Sequence, residues 1–186
     1  MKAVEPVSVQ AEETIRTNYF GTLQVCQALF PLLRYDAQVV HICSVAGFLL
    51  KIPSLGLQSK LGDPNLSVND LNKILNQYVS DAKVGKNIEN GWGNSSYQVS
   101  KVGLCALTIV QQKVFNRETK NRNISVNSVH PGYVRTDMTN HQGILSIEEG
   151  AIAPLFLALG HHSFKGQFIW NDCTILDWYG PPRHDP

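Results

Sequence analysis

Apolar residues recur at three- and four-residue intervals through VQAEETIRTNYFGTLQVCQALFPLL, residues 9–33, and this spacing predicts a long helix buried along much of its length. A turn-like RYDAQ ends it. QVVHICS (38–44) is short, apolar and rich in β-branched residues, and predicts a buried strand that delivers Ser44 at its C-terminal end. From Val45 to Trp92 the periodicity weakens into a loop-like insertion. One amphipathic helix is predicted inside it over 67–85, capped by Ser67 or Asn69. A second long helix is predicted over 95–117, with Gly103 and Ala106 as small residues along it. NISVNSVHPG (123–132) reads as a strand closed by Pro-Gly, and GQFIWND (166–172) as a last strand. Between them SIEEGAIAPLFLALG (146–160) is a helix, with Ser146 as cap, Glu149 as its capping-box partner and Gly160 as the stop.

Strand–helix–strand alternation predicts an α/β fold, with a parallel sheet of about three strands and right-handed crossovers. At 186 residues the chain has the length of a single domain, 1–186, able to bury a real core. The formal net charge is +1 and Lys and Arg are scattered, which argues against a nucleic-acid surface. No apolar run reaches the length of a membrane span. Cys26, Cys43, Cys105 and Cys173 lie far apart without metal-ligand spacing, so reduced thiols in a cytoplasmic setting are expected.

Candidate chemistry enters with SSYQVSK (95–101). Tyr97 and Lys101 stand at i and i+4 and share one face of a helix. A lysine ammonium beside a phenol stabilises the phenolate, lowering a pKa that is otherwise about 10, and so equips the phenol to exchange a proton with a carbonyl oxygen. On spacing alone the pair fits an ordinary half-exposed helix face as well. Company makes the difference. Ser44 ends one predicted strand and HPGYVRTDM (130–138) follows another, and ligands of open α/β sheets bind beyond the carboxyl ends of the strands. Adjacent His161 and His162 read as a solvated turn after a helix stop rather than as metal ligands, and no metal site is expected.

Taken together, these segments resemble the short-chain dehydrogenase/reductase superfamily, and within it the monomeric carbonyl reductases. TNYFGT (17–22) resembles the helix that carries the family's active-site Asn, and VVHICS the strand that ends in its active-site Ser. SSYQVSK is the Tyr-x-x-x-Lys motif, and HPGYVRTDM resembles the loop that holds the nicotinamide. The long stretch between Ser44 and Tyr97 is similar to the helical insertion of the carbonyl reductases, here 45–92. The resemblance implies NADPH-dependent reduction of small ketones, aldehydes or quinones. Tyr97 would protonate the oxygen, Lys101 would assist it and bind the nicotinamide ribose, and Ser44 would orient the carbonyl. Asn18 would hold a water that links Lys101 to solvent. Pro131, Gly132, Val134 and Thr136 would line the cofactor, Val134 through its backbone at the carboxamide and Thr136 near the phosphates.

One departure stands out. The family's Gly-rich turn for the pyrophosphate does not occur in this sequence, nor does its Asn-Asn-Ala-Gly segment. The expectation is therefore the C-terminal part of a doubly wound, Rossmann-like sheet. QVVHIC would form its open apolar edge, and the far end of the cofactor would be weakly held. The alternative is a catalytically inactive short isoform that binds a partner through that edge.

Overall fold

The structure is a computed structural model, and it describes residues 5–183. The chain divides into two compact units: residues 1–33 with 46–107, and residues 34–45 with 108–186.

The first unit is helical. The predicted long helix is α1 (Val7–Ile15), a π-helical segment (Arg16–Gly21), α2 (Thr22–Leu29) and a short 3₁₀ turn (Phe30–Leu32). Its buried residues explain the π segment. Ala11, Ile15, Tyr19 and Leu23 recur every four residues, a step that drifts an α-helical stripe by about 40° each time. The wider π turn takes up that drift and keeps the four on one side.

The insertion contains more helix than its pattern predicts. α3 (Leu55–Leu61) precedes α4 (Val68–Lys83), and Ser67 is the cap of α4, its hydroxyl accepting from Asp70 N. α4 packs against α1 and buries Leu71, Leu75, Tyr78 and Ala82, while the Tyr78 and Trp92 rings lie 5.3 Å apart. Against the first half of α5 (Ser96–Asn116) the approach is close: a Cβ on Gly103 would stand 2.7 Å from Leu75 Cδ1.

Asp81 locks the end of the insertion. Its carboxylate, 7% exposed, accepts from Trp92 Nε1 at 2.7 Å and from Gln77 Nε2 at 2.8 Å. Burial raises its pKa, but hydrogen bonds from Trp92, Gln77 and Asn90 and the charge of Lys86 outweigh burial and hold it below the usual value. Folded Asp81 thus binds its proton less tightly than the unfolded chain does. Its contribution to stability is complete above about pH 4 and is lost as pH falls through the lower folded value. Asp81→Asn is expected to lower the thermal midpoint near neutral pH and to flatten the loss below pH ~4. Midpoints measured across that range in both proteins check this; parallel curves would remove the assignment.

The second unit is built on a four-stranded sheet, β1 (Gln38–Ile42), β2 (Ser125–Val129), β3 (Phe168–Ile169) and β4 (Ile175–Leu176), in that spatial order. The first three are parallel and β4 is antiparallel to β3, a fourth strand beyond the three that the pattern predicts. Cys173 at φ +66° turns the β3–β4 hairpin, closed by Trp170 N on Thr174 O at 2.9 Å. One sheet face meets the second half of α5, where Gln112 donates to Ile124 O and accepts from Val126 N, and buried His41 bonds Gln111 at 2.8 Å. The other face meets α6 (Ile147–Leu159), whose Ala153 and Leu157 form a cluster with Val129 and Ile169. Ser146 and Glu149 make the predicted capping box. β1 lies at the sheet edge, and among the described residues no strand pairs with its outer side.

Candidate active site

In the helical unit, Ser95 caps α5 by accepting from Gln98 N at 3.2 Å, which places Tyr97 in the first turn. Tyr97 is 41% exposed, and half-buried Lys101 carries its ammonium 5.6 Å from the centre of the Tyr97 ring. Asn18 lies in the π segment, half-buried, and its Nδ2 donates to Ser100 Oγ at 3.0 Å. Ser100 is fully buried and donates in turn to Tyr97 O at 2.8 Å. Two predicted residues, Asn18 and Tyr97, are thus joined by Ser100, which spacing did not single out, while helix spacing sets Lys101 beside the Tyr97 ring. Ser100 lies inside the Tyr-x-x-x-Lys motif as a small residue; nothing in a single sequence says that its hydroxyl faces a helix segment 82 residues away.

In the sheet unit, Ser44 and the Pro-Gly loop both follow the C-terminal ends of adjacent parallel strands, β1 and β2. β1 and β2 run in register with Ile42 opposite Val129, and Cys43 N donates to Val129 O at 2.7 Å. Half-buried Ser44 therefore stands beside the start of HPGYVRTDM. Gly132 takes φ +89°, where a Cβ would collide with Leu145 Cδ1 and Asn171 Nδ2, so this turn requires glycine. After it the loop is tied down at each residue. Leu145 N donates to Tyr133 O, Arg135 N to Leu145 O, and Thr139 Oγ1 to Val134 O at 2.7 Å. The Val134 side chain packs under Gly150 of α6. Thr136 and Thr139 bracket a 3₁₀ turn (Asp137–Thr139): Thr139 Oγ1 accepts from Thr136 N at 3.1 Å, and Thr139 N donates to Thr136 O at 3.1 Å.

Of the two histidines after α6, His162 serves the backbone. His162 Nε2 bonds Leu157 O at 2.9 Å and its Nδ1 accepts from Phe164 N. Among the described residues no group of three or more metal-ligating side chains gathers, and no helix is long and apolar enough to cross a membrane.

The sequence profile of the short chain dehydrogenase family matches residues 84–144, the stretch that holds Tyr97, Lys101 and the Pro131–Thr136 loop. Carbonyl reductase (NADPH) 1 of Rattus norvegicus is 37% identical over 177 residues, covering 93% of this chain and 64% of the rat protein. By sequence and fold, the chain is similar to the short-chain dehydrogenase/reductase family. Among solved structures it is similar to salutaridine reductase from Papaver somniferum (TM-score 0.76, 30% identical, 88% of this chain and 55% of that one). It is also similar to menthone neomenthol reductase from Mentha piperita (TM-score 0.70, 28% identical, 87% and 50%). The chain thus spans somewhat under two thirds of the length of the curated relatives it matches.

Proposed function

We propose that this chain, similar to the short-chain dehydrogenases/reductases, carries the proton-transfer machinery of an NADPH-dependent carbonyl reductase acting on small ketones, aldehydes or quinones. The observation that carries this reading is the Asn18–Ser100–Tyr97 connection with the Lys101 ammonium beside the phenol ring. NADPH, when bound, supplies the hydride that adds to the carbonyl carbon. Tyr97 gives its phenolic proton to the carbonyl oxygen, completing the alcohol, and the nearby Lys101 charge stabilises the phenolate left behind. Asn18 holds water through which that phenolate regains a proton. Ser44 donates a hydrogen bond to the carbonyl oxygen and orients it.

The residues present suit the nicotinamide end of the cofactor. Lys101 offers an ammonium to ribose hydroxyls, and Val134 and Thr136 offer a backbone contact and a hydroxyl on a loop that the Gly132 turn redirects and hydrogen bonds fix. The relatives named for NADPH support that cofactor over its unphosphorylated form. A cytoplasmic setting accords with four cysteines joined by no disulfide, three of them buried.

Incubating the purified chain with NADPH and a quinone or aromatic aldehyde tests the reading. Loss of reduced-nicotinamide absorbance with stoichiometric alcohol or hydroquinone is the expected result. Absence of turnover overturns it. If the chain then elutes as a discrete complex with another protein, the binding reading, which rests on the outer side of β1, takes its place.

A further inference from the structure

The insertion helix α4 has no part in the roles assigned so far, yet two of its side chains reach the neighbours of the reacting residues. Tyr19, next to Asn18, donates its hydroxyl to Asn72 Oδ1 at 2.8 Å. Tyr78 donates to Ser96 Oγ, next to Tyr97, also at 2.8 Å. The third connection is Asn18 Nδ2 to Ser100 Oγ at 3.0 Å. These three bonds close a ring: α4 to the π segment, the π segment to α5, and α5 back to α4.

Both tyrosines are fully buried, and burial pushes both phenols up. A buried hydroxyl without a partner is costly, so each must find one, and the direction of that bond fixes the segment it reaches. The ring closes on segments that need such fixing. A π turn is a sparsely used backbone form, and the first turn of α5 lacks the full set of helix hydrogen bonds. A shift of either would move Asn18 relative to Tyr97, and misplacement by about an ångström is enough to cost a reaction rate heavily.

We propose that Asn72 and Tyr78 are positioning residues for the carbonyl reduction, holding Asn18 and Tyr97 in working order from the insertion helix. The inference rests on the reductase reading. It gives the insertion a part in the reaction through two hydroxyl-directed bonds.

Tyr78→Phe tests it, because phenylalanine keeps the ring and removes only the bond to Ser96. The variant is compared with Ser96→Ala, with the double variant and with Asn72→Ala. Turnover is read as kcat and KM per folded protein, and backbone hydrogen exchange is followed over residues 16–21 and 96–101. In Tyr78→Phe, kcat is expected to fall about fivefold with KM within about twofold, as loss of one net hydrogen bond from the transition state would give. Exchange over 96–101 should quicken, and Ser96→Ala should add no further loss in the double variant. Asn72→Ala should quicken exchange over 16–21 and lower kcat likewise. An unchanged kcat with a lowered thermal midpoint would overturn the proposal, leaving a purely structural brace. Additive losses in the double variant would overturn it too. If the parent chain itself shows no turnover, the reductase reading fails, and exchange alone then decides whether the ring holds these segments. Unchanged exchange in both variants would dismiss the ring as well.

Discussion

Tyr97→Phe is expected to lower carbonyl reduction at least about a hundredfold while leaving the fold intact, because general acid catalysis contributes roughly 10² to 10⁴ in rate. The substitution removes one oxygen. Tyr97 is 41% exposed in the first turn of α5, and the ring that faces Lys101 remains. Ser100 holds the Tyr97 backbone carbonyl rather than its side chain, so that tie also survives. Loss of activity without loss of stability is therefore the signature sought, read as kcat against the thermal midpoint. Activity retained within about tenfold would point to another proton donor. A midpoint that drops along with activity would instead make the phenol a packing residue.

Leu157→Ala should have the opposite signature, a large loss of stability from a residue with no chemical role. Leu157 is fully buried between α6 and the sheet, clustered with Val129, Ala153 and Ile169, with Val40, Phe156 and Phe164 packed around them. Truncating such a leucine costs about 3 to 5 kcal/mol, the lost transfer energy plus the cavity left behind. Against a usual total of about 5 to 15 kcal/mol this is a large share. Leu155, two residues earlier on the same helix, is 54% exposed, and Leu155→Ala is expected to stay within about 0.5 kcal/mol. Urea unfolding of the two variants side by side measures the difference. Equal midpoints would mean that the core assigned beneath α6 is wrong. Because the loop through Val134 packs under Gly150 of the same helix, Leu157→Ala should also loosen that loop.

What was legible in the sequence is what short-range physics encodes. Ser67 and the Ser146–Glu149 box mark helix starts because a cap is settled within four residues, and both caps form. β1 and β2 show as apolar, β-branched runs because both are paired in a sheet between helices, and the Tyr97–Lys101 pair shares a face because i and i+4 always do on a helix. Beyond that range the pattern falls silent. The π segment exists because Ala11, Ile15, Tyr19 and Leu23 must all face inward, a demand made by what they pack against. β4 is two residues long and forms only because Cys173 turns the chain back onto β3. α3 is seven residues long, too short for periodicity to show. The partnership of Asn18 with Ser100, and of Asn72 and Tyr78 with the neighbours of the reacting residues, joins positions 18 to 82 residues apart. Such pairs carry no local signature, since their energy comes from burying hydroxyls and amides where only one partner is in reach. The sequence by itself determined which side chains could do the chemistry. Tertiary structure decided what holds Asn18 against Ser100 on the helix of Tyr97 and Lys101, because only packing turns chemically suitable residues into a fixed arrangement.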